Sequence, residues 1–447
     1  MSSWKKVTLE DISESINTGL DAIRRAPIVD FETDIKCLRI QDISQNKPIE
    51  SWGFTEVKNT DYSKFRLMKD DIIMARTCST GICFLAKQDL PAVFNNGLAR
   101  IRLKKDIAYP TYVYYVFKSK SFISYIDGIS GGTSVQLNMK IGDLSKYSFD
   151  LPPLNIQKEI ANKLSDLDKK IQLNTQINQT LEQIAQTIFK SWFIDFDPVH
   201  AKANALASGQ TAEQATQAAM AVISGKNTQE LHRLQTANPE QYQQLWEIAE
   251  AFPSGFDEEG VPRGWEEREL SYLFEFLSGA QPPKSEHIYE EKEGYERFIQ
   301  NRDYSNDNHK TYIPISKKNK RCTEKDILMD KYGEAGKVRY GIKGAYNVAL
   351  AKIVPQKDNL REFLRSYFTQ DKIRNYLSSS SMASTRNSLN STTFTRMKVI
   401  VPNDFLLSTF DKLANEKIDK ILQIKQENIE LSKLRDYLLP KLLSGEV

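Results

Sequence analysis

The chain repeats itself at about half its length, and any fold that ignores the repeat is excluded. Residues 94–106 read FNNGLARIRLKKD and residues 346–358 read YNVALAKIVPQKD. Asn95 matches Asn347, Leu98 matches Leu350, Ala99 matches Ala351 and Ile101 matches Ile353, all 252 apart. Arg100 becomes Lys352, which keeps the charge. Trp4 and Trp265 open the two copies 261 apart, Asp71-Ile72 and Asp326-Ile327 align 255 apart, and Pro152 and Pro402 align 250 apart. Leu137-Asn138 aligns with Leu389-Asn390 at 252. A drifting offset is what a few loop insertions and deletions produce. A period this long is no solenoid, so the unit is a domain that has been duplicated.

Each copy reads alike. Short runs rich in β-branched and aromatic residues come first: KCLRIQDI, DIIMAR and LARIRL in one, RFIQNRDY, DILMDKYG and LAKIVP in the other. Gly, Asn and Asp clusters separate them, which is strand-and-turn punctuation. A helical stretch follows, TYVYYVFKSKSFISYI or REFLRSYFTQDKIRNYL, then a polar loop and a proline.

A long helix closes each copy. Residues 156–193 contain neither Pro nor Gly. Leu164, Leu167, Ile171, Asn174, Asn178, Leu181, Ala185, Ile188 and Trp192 fall on heptad positions a and d. Ala414, Lys417, Ile421, Ile424, Asn428, Leu431, Arg435, Leu438 and Leu442 do so in the second copy. Such spacing is a coiled-coil seam. Asn178 and Asn428 share one a position, where a buried Asn costs stability and sets register. Two helices of this length pairing antiparallel would form a rod of roughly 50 Å with the copies related by a pseudo-twofold axis. Such a ruler suits a split target on a duplex, which dimeric DNA-binding proteins read with two chains.

The fold class expected is therefore α+β: two pseudo-symmetric globular αβ domains separated by two long helices that form an antiparallel coiled coil. The boundaries expected are 1–153 for the first recognition domain, 154–194 for the first helix and 195–260 for an acidic linker with a helical insertion. Residues 261–403 form the second recognition domain and 404–447 the second helix. The insertion at residues 200–250 reads as a solvated spacer.

Net charge is only +3, but it is uneven. Residues 194–260 hold 3 Lys+Arg against 10 Asp+Glu, whereas residues 261–400 hold 25 against 18. Two mildly basic blocks flanking an acidic one are compatible with two polyanion surfaces. Four cysteines without CxxC spacing read as reduced thiols of a cytoplasmic protein. No apolar run is long enough to span a bilayer, and the stretch MSSWKKVTLEDI has no apolar signal region.

The stretch LPPLNIQKEIANKLSDLDKKI, followed by SWFIDFDPVHAK, GVPRGWEEREL and the ending LRDYLLPKLLSGEV, resembles the specificity subunit of type I restriction–modification systems. The resemblance covers nearly the whole chain. It implies that each recognition domain reads one half of an interrupted DNA target. It also implies that the chain docks two methyltransferase subunits and works with restriction subunits, directing adenine methylation or restriction. S-adenosylmethionine, ATP and Mg²⁺ would then sit on those partners, with no cofactor or metal in this chain. The insertion around residues 200–250 departs from the family pattern.

Catalytic signatures fail one by one. GEAGKV at 333–338 lacks the first Gly and the hydroxyl of a phosphate-binding loop. LPPLN lacks the aromatic that an amino-methyltransferase stacks on its flipped base. His200, His232, His287 and His309 are scattered, so zinc and triad chemistry have no support. The chain is expected to be non-catalytic. A coiled-coil scaffold that binds only proteins is the alternative of another class.

Bases are read by Arg, Lys, Asn and Gln, and phosphates by Lys, Arg, Ser, Thr and loop N–H groups. The corresponding polar loops supply the candidates. In the first copy they are Arg76, Thr77, Ser79, Thr80, Asn95, Asn96, Thr133, Ser134, Gln136 and Lys140. In the second they are Lys331, Tyr332, Lys337, Tyr346, Asn347, Ser384, Thr385, Arg386 and Asn387. Asn138 and Asn390 read as turn or cap residues.

Overall fold

The run Ile72–Ala75 is buried at every position, which a strand covered on both faces requires. Its alternate side chains enter two different cores. Ile72 and Met74 face a core shared with the helices Pro110–Val116 and Lys120–Ser130. Ile73 and Ala75 face a second core built on a further sheet. The period of two residues in a strand thus places one sheet between a helical layer and a β layer. The computed structural model describes residues 4–130, 138–305, 309–382 and 388–446.

The repeat holds at the level of strand register. In the first copy Ile72 lies opposite Ile101 and Met74 opposite Ala99; in the second, Ile327 lies opposite Ile353 and Met329 opposite Ala351. Strands Ser13–Thr18 and Phe274–Ser278 flank the same side, with Ile16 opposite Ile101 and Phe276 opposite Ile353. Beyond them, Lys36–Leu38 runs parallel to Ala92–Phe94, and Tyr295–Ile299 parallel to Gly344–Tyr346. Lys5–Thr8 pairs Ser148–Leu151, and Glu266–Glu269 pairs Lys398–Val401.

The repeated charge bonds to the backbone. Arg100 donates to the carbonyl of Arg66 at 3.3 Å, and Lys352 to the carbonyl of Arg321, its counterpart, at 3.1 Å. The repeated glycines Gly19 and Gly279 are also structural. A Cβ on Gly19 would stand 2.2 Å from the Phe94 carbonyl oxygen, and one on Gly279 2.0 Å from that of Asn347. Only a residue without a side chain fits either place.

One alignment changes. The Met139 N–H donates to the Arg76 carbonyl at 2.8 Å, and the Leu389 N–H to the Lys331 carbonyl at 3.2 Å. Leu389 therefore corresponds to Met139, not Leu137, and Asn390 to Lys140. The offset is then 250, the same as for Pro152 and Pro402. Asn390 caps the short helix Ser391–Phe394, as expected of it.

The long helices run Leu154–Phe193 and Asp404–Ser444. The chain divides into two compact units that do not follow chain order: residues 1–174 with 427–447, and residues 175–426. In the first unit, Ile160, Ala161 and Leu164 share a core with Leu439 and Leu442 from the far end of the second helix. In the second, Phe189, Trp192 and Phe193 share a core with Leu406, Leu407, Phe410 and Ala414. Each recognition domain thus packs against the start of its own helix and the end of the other. Within the first unit the pairing is antiparallel, since Asp168 meets Arg435 and Asn174 meets Asn428.

The helical insertion is present, but residues 200–250 are not a solvated spacer. Helices Asp197–Ala207, Ala212–Ser224, Thr228–Ala237 and Pro239–Ala251 fold with a core of Ala219, Met220, Leu231 and Ala249. Val199 and Phe252 join the core of Trp192 and Trp265. Buried Lys202 donates to the carbonyls of Ala249, Glu250 and Phe252, capping the last helix. The acidic residues lie outside while small apolar side chains interlock within, a pattern that Ala/Gln-rich composition conceals.

Candidate nucleic-acid interface

In the first unit three polar loops meet where strand Ile72–Ala75 ends. Gly81, at φ +87°, returns its N–H to the Ala75 carbonyl at 3.0 Å and closes the loop 76–80. Cys78 is also left-handed, at φ +61°. The Arg76 guanidinium holds the cluster together. Nη1 donates to the Asn96 carbonyl at 3.1 Å, Nη2 to Asn138 Oδ1 at 3.2 Å and Nε to the Met139 carbonyl at 3.3 Å. Thr77 forms an antiparallel bridge with Asn138. Thr77, Ser79 and Thr80 are half-buried beside exposed Asn96 and Lys140. Asn95 is half-buried, and its Oδ1 has no hydrogen-bond partner.

The second unit builds the same arrangement with other side chains. The Lys331 N–H donates to the Ala349 carbonyl at 2.8 Å, and its own carbonyl receives Leu389. Loops 331–337, 346–349 and 388–390 therefore converge as their counterparts do. Two of the expected contact residues are not surface groups. Tyr346 is 1% exposed, with its hydroxyl on the Leu277 carbonyl at 3.2 Å. Lys331 is 7% exposed, with Nζ on Ser278 Oγ at 2.9 Å. Both were expected at the interface, but strand packing turns their side chains inward. Lys337 is at the surface but pairs with Glu334 at 2.8 Å. Tyr332 is exposed, and Asn347 Oδ1 receives the Ala349 N–H at 3.2 Å. Thr133, Ser134, Gln136, Ser384, Thr385, Arg386 and Asn387 lie outside the described residues.

Charge within this loop is largely self-compensated. Arg339 donates to Asp330 at 2.7 Å and to Glu334 at 2.7 Å. Burial pushes the Asp330 carboxyl up from the usual range, despite the opposing pull of Arg339. Burial also pushes the thiols of Cys37, Cys83 and Cys322 up to about 12, which leaves them poor nucleophiles. Among the described residues, no cluster of His, Cys, Asp and Glu could hold a metal ion, and no helix is long and apolar enough to cross a membrane.

One basic feature escaped the sequence reading. From His309 to Arg321 the chain has five Lys or Arg and no acid: HKTYIPISKKNKR. Lys317, Lys318 and Lys320 are exposed there. The signal was present as an acid-free run, but attention to repeated loops passes over a feature found in one copy alone.

A family model described as type I restriction modification DNA specificity domain matches residues 1–183 and again 262–435. The HindI type I restriction enzyme specificity subunit of Haemophilus influenzae is 33% identical over 474 residues, covering 100% of both chains. The MjaIX specificity subunit of Methanocaldococcus jannaschii is 27% identical over 393 residues, 85% of this chain and 78% of that one. Among solved structures, the type I restriction–modification S subunit from M. genitalium superposes with a TM-score of 0.54 at 16% identity, covering 98% of this chain and 96% of that one. That last likeness concerns the fold alone.

Proposed function

The chain belongs to the family of type I restriction–modification specificity subunits, and on that premise we propose that its two lobes read the two halves of an interrupted duplex sequence. One observation carries the reading. The two copies share the register of their central strand pair, while the loops beside the sheet end differ in their side chains. Exposed Asn96 stands where the second copy has Val348, and exposed Lys140 where it has Asn390. A common frame with different side chains suits two different half-sites, because base identity is read by side-chain donors and acceptors.

In this reading the chain is a recognition subunit without catalysis of its own. Two methyltransferase subunits dock on it and modify adenine, and restriction subunits complete the complex. S-adenosylmethionine, ATP and Mg²⁺ belong to those partners. The paired helices set the spacing of the half-sites, and the complex works in the cytoplasm.

The test is to map methylated adenines across a host genome with and without this chain. A two-part motif that appears only with the chain is the expected result. Methyl transfer by the purified chain alone, or an unchanged map, would refute the proposal.

A further inference from the structure

We infer that the turn Ser316–Lys320 of the second lobe is a phosphate-gripping surface, contacting the duplex backbone and not the bases. The inference rests on the DNA-reading function proposed above and adds which surface supplies sequence-independent affinity. The turn joins strands Tyr312–Pro314 and Arg321–Cys322. Its shape is held from beneath. Arg321 makes a two-pronged ion pair with Glu296, both bonds at 2.7 Å, and donates to the Ser316 carbonyl at 2.8 Å. Asn319 Nδ2 donates to Glu296 at 2.7 Å and to the Pro314 carbonyl at 2.9 Å.

Glu296 therefore neutralises Arg321 and leaves the other cations of the turn uncompensated. Lys317, Lys318 and Lys320 are exposed and form no ion pair among the described residues. Three like charges on one turn repel each other, and none of them is offset by an ion pair among the described residues. A polyanion would offset them. Lysine ammonium is a compact point charge on a flexible stem, suited to phosphate and poorly suited to the paired geometry of base edges. The turn adjoins the loop cluster, since the Lys320 carbonyl receives the Tyr346 N–H at 2.9 Å, next to Asn347. The counterpart in the first lobe carries fewer such lysines. Arg66, the counterpart of Arg321, follows a helix, Asn59–Phe65, whose Asp61 pairs with Arg25 and leaves Lys58 and Lys64 exposed.

The experiment uses the full chain with its methyltransferase subunits. Affinity for a target duplex and for an unrelated duplex is measured from 50 to 200 mM salt. The proteins are the wild type, a Lys317→Ala, Lys318→Ala, Lys320→Ala triple variant, and the corresponding Lys→Arg triple variant. The slope of log affinity against log salt should fall by about 2–3 in the Ala variant on both duplexes. The wild type should accordingly lose roughly 15- to 65-fold more affinity over that range than the Ala variant. The Arg variant should keep the wild-type slope, and all three should methylate the same sequence. An unchanged slope in the Ala variant would overturn the inference, as would an altered preference at the half-site, which would mean base contact. A wild-type complex that does not prefer its target would refute the proposed function first and this inference with it.

Discussion

Asn174 donates through Nδ2 to Asn428 Oδ1 at 2.9 Å, so the two long helices meet through a pair of amides inside the seam. Asn428 in turn reaches the Ile171 carbonyl at 3.5 Å, and Asn174 also donates to Glu427 at 3.1 Å. The repeat places Asn178 as the counterpart of Asn428, but the counterpart of Asn174 is Ile424, which has no amide to offer. Asn178 is 8% exposed, and its Oδ1 has no hydrogen-bond partner.

Replacing Asn178 should therefore differ in sign from replacing Asn174. Asn178→Leu is expected to stabilise the chain by about 1 kcal/mol, because it removes a buried acceptor that bonds to nothing. Asn174→Leu should destabilise by about 1–3 kcal/mol, because it strands Asn428. Thermal melts of both variants decide the matter; a lower melting temperature for Asn178→Leu would contradict this account.

Asp168 predicts a pH dependence. It accepts from Arg435 Nη1 at 2.8 Å and from the Tyr115 hydroxyl at 2.8 Å, with Lys118 at 3.6 Å. Burial pushes its carboxyl up, but Arg435, Lys118 and Tyr115 together hold it below the usual range. A carboxylate with a depressed folded-state pKa contributes stability that is complete above its unfolded value of about 3.9. That contribution is lost as pH falls through the folded value. Asp168→Asn should cost about 1.5–3 kcal/mol at pH 7, and the difference from wild type should shrink steadily below about pH 4. Denaturant melts at pH 7 and pH 3 measure it.

The two buried glycines offer a test of independence between the lobes. Gly19→Ala and Gly279→Ala each force a Cβ into backbone carbonyl oxygens. Each should destabilise by roughly 3 kcal/mol or more. Gly19→Ala should relax discrimination at one half of the target, and Gly279→Ala at the other, read by binding to duplexes mutated in one half at a time. Loss of both halves from a single substitution would show that the lobes do not read separately.

Inserting one heptad near Gln176 together with one near Gln426 lengthens each helix by about 10 Å. At 3.4 Å per base pair the preferred spacer should grow by roughly three base pairs. Three base pairs also turn the second half-site by on the order of 100°, so binding should weaken by the cost of twist, about 1–6 kcal/mol. Methylation mapping of the double insertion reads the spacer directly. Retention of the original spacer would show that the helices do not measure it.

The duplication, the strands and the helices were legible in the chain because their signals are local. Leu98, Ile101, Leu350 and Ile353 stand in strands covered on both faces and are buried as expected. The stripe containing Leu164, Ala185, Trp192, Ala414, Ile421 and Leu442 repeats at heptad spacing and is buried as well. The 200–250 stretch misled because Ala and Gln signal neither core nor solvent until neighbouring helices close around them.

The amino-acid sequence by itself determined that one αβ unit is written twice, which runs carry its central strands, and that two long helices follow with matched phase. Periodicity suffices for these, since a strand or a helix is specified by neighbours along the chain. Tertiary structure alone decided which polar side chains remain free. Arg76 is bound by Asn138 and Met139, 62 and 63 residues away, and Lys331 by Ser278, 53 residues away. Tyr346 disappears into a core, and Lys317, Lys318 and Lys320 are left uncompensated because Glu296 bonds Arg321 instead. Whether a charge faces water, a carbonyl or a carboxylate depends on partners brought in by the fold, and no local pattern encodes where those partners will be.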